Sequence, residues 1–230
     1  MRIVIFGANG GTGRQLARLA LDAGHTTVAV TRHPDTFPVT GATLTVAAAD
    51  VHDRDAVVRV VEGADAVLST LGVTFTREPV HTYSAGTANI VDAMRTHGVR
   101  RLAVVSSSAV GDYPHRPGMP LSLRLVQPVI SNVFGKTLYA DMRRMEALVA
   151  DSGLQWTIVR PSGLFDLPYV TEYVAGQGDP VGAYTSRTDL ADYLLKVASG
   201  AAGGGTVTVS TTVDTPSMWQ LLRKEAFKSA

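Results

Sequence analysis

Seven residues near the start of the chain restrict its fold more than any others: Gly7-Ala8-Asn9-Gly10-Gly11-Thr12-Gly13. Ahead of them, residues 2–6 read Arg-Ile-Val-Ile-Phe, a short apolar run that predicts a buried strand. Behind them, Leu16, Leu19, Ala20 and Ala23 recur at helical spacing, and Gly24 stops the helix. A glycine loop between a strand and a helix suits an anion. The first backbone N–H groups of the helix are unpaired, and its dipole places positive charge at that end. Gly7 permits a tight exit from the strand, Gly10 lets the backbone approach a phosphate, and Gly13 lets the helix pack closely on the strand. The spacing is GxxGxxG, not the more familiar GxGxxG. Its place inside a strand–helix–strand pattern points to the pyrophosphate of a dinucleotide.

The pattern then repeats. Strands are predicted over 27–31, 42–47, 65–70 and 101–106, with helices over 53–61 and 80–97 and a loop marked by Pro34 and Pro38. Such alternation with short connections predicts an α/β fold, a doubly wound parallel sheet with helices on both faces. The second half is less regular. Residues 111–120 read as a loop, 121–152 as helix broken near Pro128 and Gly135, 155–159 as a sixth strand and 161–182 as a long connection. Ser186-Arg187-Thr188-Asp189 resembles a capping arrangement for a helix to about Ser199, although Asp stands where Glu is usual. A flexible link at 201–205, a short strand over 207–209 and a helical tail complete the reading. The expectation is one domain over 1–230, with a small substrate lobe from inserted segments at about 110–135 and 161–185.

The chain has 230 residues and no cysteine, which excludes disulfides, thiolate catalysis and cysteine-bound zinc. Its formal charge of +1 argues against nucleic acid as a partner. The opening apolar run is too short for a secretory h-region, and no stretch reaches the roughly 18 apolar residues of a membrane span. A soluble, cytoplasmic protein, monomeric or homodimeric and without a membrane partner, is the expectation. His81, His97 and His115 are dispersed without metal-ligand spacing, so no metal is expected.

The end of the second strand sets the cofactor. A carboxylate there would bind a ribose 2′-hydroxyl. The residues are instead Thr31-Arg32-His33, and Arg32 can hold a 2′-phosphate through a charge-assisted fork. NADP(H) is therefore preferred, with NAD(H) possible. Asp50 and Val51 follow the third strand; Asp50 lies either beside the adenine amino group or as the cap of the next helix. Thr70, Leu71 and Gly72 end the fourth strand and should line the cofactor.

Together with Gly86-Thr87-Ala88-Asn89, the serines Ser106, Ser107 and Ser108, and the run from Ser152 to Pro161 (Ser-Gly-Leu-Gln-Trp-Thr-Ile-Val-Arg-Pro), these residues resemble the atypical short-chain dehydrogenase/reductases. The resemblance is to the NAD(P)H-binding NmrA-like and flavin reductase/biliverdin reductase B types, and extends to Asp189-Leu190-Ala191. It implies a Rossmann fold with NADPH across the strand ends. It also implies a nicotinamide near Ser106, Ser107 and Ser108 on one side and Pro161, Ser162, Gly163 and Leu164 on the other. It does not imply one chemistry, since the group holds flavin and quinone reductases as well as nucleotide-sensing regulators.

Ordinary members of the wider group pair a tyrosine with a lysine four residues later, and the lysine lowers the phenol pKa. Here Tyr139 is followed by Arg143. Counting back from Ser152 through Glu146 puts Met142 at the lysine position and Leu138 at the tyrosine position, so Tyr139 is displaced by one residue. One residue is about 100° of helix, enough to change the face. Ser108 and Tyr139 are the candidate catalytic residues, Ser108 as a donor or orienting group. The flavin reductase relatives carry a histidine soon after the proline of the sixth strand; here Ser162 and Gly163 follow Pro161. Phe75, Tyr113, Phe134, Phe165, Tyr169 and Tyr173 fall in or near the loops expected at the strand ends and suit a small aromatic or quinonoid substrate. The leading expectation is an NADPH-dependent oxidoreductase of a flat acceptor, flavin or quinone. The alternatives are an NmrA-like NADP(H)-sensing regulator without turnover and a sugar epimerase/dehydratase-like enzyme.

Overall fold

The computed structural model describes residues 1–74, 76, 78–111 and 136–216. Its first strand, β1 (Arg2–Phe6), shows why the pattern works. Ile3 and Ile5 enter one apolar cluster while Val4 and Phe6 enter another on the opposite face, as the period of two in a strand requires. Both faces are covered, so the strand is apolar throughout. On one face lie α1 (Gly11–Asp22) and α5 (Arg187–Ser199), which bury Leu16, Ala17 and Ala20 against Leu190, Leu194 and Val197. The other face is covered by α2 (Arg54–Val61), α3 (Thr82–Thr96) and α4 (Lys136–Ala150), through Val57, Ile90, Met94, Met145 and Val149.

The remaining strands of the central sheet are β2 (Thr26–Thr31), β3 (Leu44–Ala48), β4 (Ala66–Ser69), β5 (Arg101–Val105), β6 (Gln155–Pro161), β8 (Tyr173–Gly176) and β10 (Gly205–Thr211). Their order is β3-β2-β1-β4-β5-β6-β10-β8. All pairs are parallel except β10 with β8. The chain moves outward from β1 through β2 to β3, then returns to the other side of β1 as β4. That reversal opens a crevice beyond the carboxyl ends of β1 and β4, the place where such sheets take ligands.

Residues 161–182, expected as a plain connection, carry strands. β7 (Gly163–Phe165) pairs with β9 (Tyr184–Ser186) in a separate two-stranded sheet, and β8 closes the edge of the main one. Three- and four-residue strands are too short to show a period, and the flanking glycines and prolines read as loop. The final strand also runs longer than expected and takes up Gly205, the last residue of the expected link. The loop, broken helix and tail expected over 112–135 and 217–230 lie outside the described residues. Among the described residues no helix is long and apolar enough to cross a membrane.

Candidate functional site

At the crevice, the glycine loop is shaped by close backbone approaches. Gly7 has φ +73°, and a Cβ there would lie 2.6 Å from the Thr70 carbonyl oxygen at the end of β4. Thr70 adds a hydroxyl that donates to the Phe6 and Gly7 carbonyls at 3.0 and 3.2 Å, tying the ends of β1 and β4 together. A Cβ on Gly13 would collide with the backbone of Gly7 and Ala8. Gly10 is different: its Cβ position meets only the Gly7 carbonyl oxygen, at 3.2 Å, so its freedom is toward the crevice. The loop is braced from outside by Asn9, whose amide donates to Thr36 Oγ1 at 3.1 Å and whose Oδ1 accepts Arg14 Nε at 2.9 Å.

The helix N-termini make a contrast. Asp53 Oδ1 accepts the Ala56 N–H and caps α2, Asp141 Oδ2 accepts the N–H groups of Tyr83 and Ser84 on α3, and Ser186 Oγ caps α5. At α1 the N-cap is Gly10, with no side-chain cap. Its first N–H groups have no acceptor within the helix, and Gly10, Gly11 and Thr12 line the crevice. An anion there would complete the helix.

The crevice is a cavity of about 680 Å³. Gly7, Asn9, Gly10, Gly11 and Thr12 form its floor. Arg32, Asp50 and Val51 line one end, Thr70, Leu71 and Gly72 the middle, and Ser106 and Leu164 the other end. Of the remaining sequence candidates, Ala8 and Gly13 support the loop from behind. Ser107 Oγ accepts the Ala109 N–H in a local turn, and the Ser108 N–H donates to the Pro161 carbonyl. Ser162 is tied to Thr185 and Gly182, and Gly163 to Ala183. Ser107, Ser108, Pro161, Ser162 and Gly163 thus frame the wall without lining it, and Tyr139 is half-buried outside the cavity lining. Asp50 does not cap α2; Asp53 does, and Asp50 Oδ1 accepts the His52 N–H while the residue stays on the cavity wall.

Several wall residues stand outside the candidate site residues read from the sequence. Met142 lines the cavity from α4 and Leu138 is buried one turn earlier, so the helix presents apolar groups where a tyrosine–lysine couple would stand. Tyr83 lines it from the start of α3, where its hydroxyl accepts the Val73 N–H at 3.3 Å. Burial pushes the Tyr83 phenol up, and the nearby Asp141 carboxylate adds to the shift, so the phenol keeps its proton at neutral pH. His33 and His52 join Arg32 at the same end, and Arg187 reaches the loop from α5. Gly86 and Asn89 act one layer out. A Cβ on Gly86 would lie 2.7 Å from Val51 Cγ1, and Asn89 Nδ2 donates to the Val51 carbonyl at 2.9 Å, which fixes the loop after β3.

The aromatic residues fare differently. Phe165 is buried and packs edge-on to Tyr184, and Tyr169 is half exposed and bonded to Asp214. Tyr173 is bound by Asp192 and Lys196 on α5. None of these three lines the cavity, which corrects their expected place at the acceptor; β7 carries Phe165 and β8 carries Tyr173 into packing, and Tyr169 lies between them at the surface. Phe75, Tyr113 and Phe134 lie outside the described residues. Among the described residues no cluster of His, Asp and Glu could hold a metal ion.

One buried polar atom tests whether a dinucleotide fits. Ser106 Oγ, in a residue 4% exposed, has no hydrogen-bond partner among the described residues and belongs to a residue on the cavity wall. A buried hydroxyl without a partner carries a desolvation cost that a bound polar group relieves. With the uncapped α1 and the open Gly10, the residues present fit an elongated ligand with an anionic centre and a polar far end.

Comparison with known proteins agrees. An uncharacterized protein of Mycobacterium tuberculosis is 31% identical over 166 residues, which span 72% of this chain and 15% of that relative's length. The chain therefore matches a small part of that protein. A short-chain dehydrogenase/reductase from Veillonella parvula, solved in complex with NADP, superposes with a TM-score of 0.76 at 19% identity, covering 94% of this chain and 99% of that one. ChuY, an anaerobillin reductase from Escherichia coli O157:H7, gives 0.73 at 22%, covering 94% and 100%. At such identities the two structures speak to the fold, which is that of Rossmann-type nucleotide-binding proteins. Residues 7–200 match the family model described as NAD(P)H-binding. That span runs from the first glycine of the loop to the end of α5 and contains every described residue of the crevice lining but Phe6, and the chain belongs to this NAD(P)H-binding family.

Proposed function

We propose that the protein is an NADPH-dependent reductase that passes hydride to a flat redox acceptor of the flavin or quinone type. The observation that carries this reading is Met142 on the cavity wall, with Leu138 buried behind it. The wall is apolar where carbonyl–alcohol chemistry would need a phenol and an ammonium group. A flavin or quinone requires no such relay, since its reduction can take the proton from solvent. Arg32, with no carboxylate at the end of β2, supports the phosphorylated cofactor.

Bound NADPH would supply the hydride. The chain's own residues supply binding, orientation and exclusion of water. The glycine loop and the N-terminus of α1 take the pyrophosphate, and Arg32 the 2′-phosphate. Asp50 stands at the adenine end, and Ser106 Oγ holds the polar edge of the nicotinamide. Val105, Met142 and Leu164, also on the wall, keep water from that ring. Orientation alone is worth several kcal/mol in such a transfer.

The test is NADPH oxidation, followed by loss of its absorbance, over a panel of FMN, FAD and quinones. Steady turnover with at least one acceptor is expected, and Tyr139→Phe should leave its rate unchanged. No turnover across the panel by a chain that binds NADPH would overturn the reductase reading. The same apolar wall favours a second reading, an NADP(H)-sensing regulator. It would bind the nucleotide without consuming it and shift a protein partner's affinity by the factor that the partner shifts the nucleotide's.

A further inference from the structure

The pyrophosphate of a dinucleotide carries two negative charges, and the glycine loop offers it backbone N–H groups and neutral side chains but no cation. The cavity holds two arginines among its described lining residues, Arg32 and Arg187. Arg32 belongs to the end of β2. Arg187 opens α5 and crosses the mouth of α1: a Cβ on Gly11 would lie 2.8 Å from both Cδ and Nε of Arg187. Gly11 therefore has a specific use. It is the first residue of α1 and has ordinary helical surroundings, yet any side chain there would meet the arginine stem. The guanidinium is held in place at its far side, where Nη1 donates to Asp166 Oδ1 at 2.8 Å, just beyond β7. Nε, on the other side of the fork, lies against the loop.

We propose that Arg187 is the cation for the dinucleotide's pyrophosphate, admitted to the loop by Gly11 and aimed by Asp166. The proposal rests on the nucleotide-binding reading but not on turnover. The pyrophosphate is common to both nicotinamide dinucleotides, so Arg187 sets affinity without selecting between them, whereas Arg32 selects. The Ser106 hydroxyl and the N-terminus of α1, both without a side-chain partner among the described residues, mark the same cavity as built for a ligand, independently of the arginine. Asp166 follows the strand whose Leu164 lines the nicotinamide end, so the ion pair also joins the acceptor side of the site to the phosphate side.

Equilibrium titrations of NADPH, NADH and adenosine 2′-monophosphate with the whole chain test this. Arg187→Met keeps the stem and removes the charge. It should weaken NADPH and NADH by the same factor, roughly ten- to a hundredfold for a lost charge-assisted bond. It should leave adenosine 2′-monophosphate unchanged, because that ligand places its phosphate at the Arg32 end. Arg187→Lys should recover part of the loss, and Gly11→Ala, which displaces the arginine, should reproduce a share of it. Unaltered dinucleotide affinity in Arg187→Met overturns the proposal, and so does an equal loss for adenosine 2′-monophosphate, which would mean that the arginine acts through the fold. Failure of the unmodified chain to bind any dinucleotide overturns the nucleotide reading itself, and the arginine's role with it.

Discussion

Arg32 and Arg187 are both arginines on the wall of one cavity, yet the structure gives them different neighbours. Arg32 is exposed at the end of β2, with His33 and His52 beside it on the wall. Arg187 is more enclosed, its side chain 28% exposed and paired with Asp166. In the proposed binding mode a group in the first setting meets a substituent at the ribose, and one in the second the centre of the ligand. Arg32→Ala should therefore weaken NADP(H) by about 1.5–3 kcal/mol, roughly ten- to over a hundredfold, and leave NAD(H) nearly unaffected. Parallel fluorescence titrations of the two reduced nucleotides measure it. Equal losses would show that Arg32 does not read the 2′-phosphate. The neighbouring serines divide in a similar way. Ser106 belongs to the wall and its buried oxygen has no partner among the described residues, while the Ser107 hydroxyl accepts the Ala109 N–H and the Ser108 backbone N–H is tied to the Pro161 carbonyl.

At the scale of elements, the start of α3 is held by a residue from another helix. Asp141 on α4 is fully buried, and its carboxylate accepts the Tyr83 and Ser84 N–H groups and the Ser84 hydroxyl, with Arg144 alongside. The pairing docks α4 on α3 and sets Thr82 and Tyr83 on the cavity wall. Asp141→Ala would strip the acceptor from two helix N–H groups, one of them buried, and should cost about 2–4 kcal/mol. Urea denaturation checks this; a change below about 1 kcal/mol, the size of an ordinary exposed cap, would contradict it. The cap also shows what sequence could reveal. Asp53 caps α2 from three residues away and Ser186 caps α5 from two, distances that a reader of the chain can scan. Asp141 acts across 58 residues on Tyr83, which no local pattern exposes. Ser186 and Asp189 were half legible. Ser186 caps as expected, but Asp189 does not reach back to the Ser186 N–H, which donates to Thr211 Oγ1; its carboxylate serves Thr171 and Thr211 instead. The glycine loop and the displaced Tyr139 were readable because each rests on spacing within one segment, and the doubly wound sheet because strands and helices alternate along the chain. Arg187, Tyr83 and the fate of Tyr173 depend on which segments the sheet brings together.

For the molecule as a whole, the cavity is a junction of distant segments. Gly10, Arg32, Val51, Thr70, Ser106, Met142 and Arg187 meet there from seven parts of the chain. They come from both covers of the sheet, since Met142 belongs to the helices on one face and Arg187 to those on the other. A ligand that touches all of them binds only the folded chain, because the unfolded chain has no such site. Linkage then fixes the size of the effect: at a hundred times the dissociation constant the gain is about 2.7 kcal/mol. For a chain of this size that is a rise in Tm of roughly 5–11 °C. On the proposed role of Arg32, which would contribute to NADPH and not to NADH, NADPH should produce it at a lower concentration than NADH. Thermal unfolding over a concentration series of each nucleotide measures both the slope and the offset between them. Superimposed curves for the two would contradict the NADP(H) preference while leaving dinucleotide binding intact. A Tm that neither nucleotide moves would mean that the crevice, with its uncapped helix and unpartnered serine, is not completed by a dinucleotide.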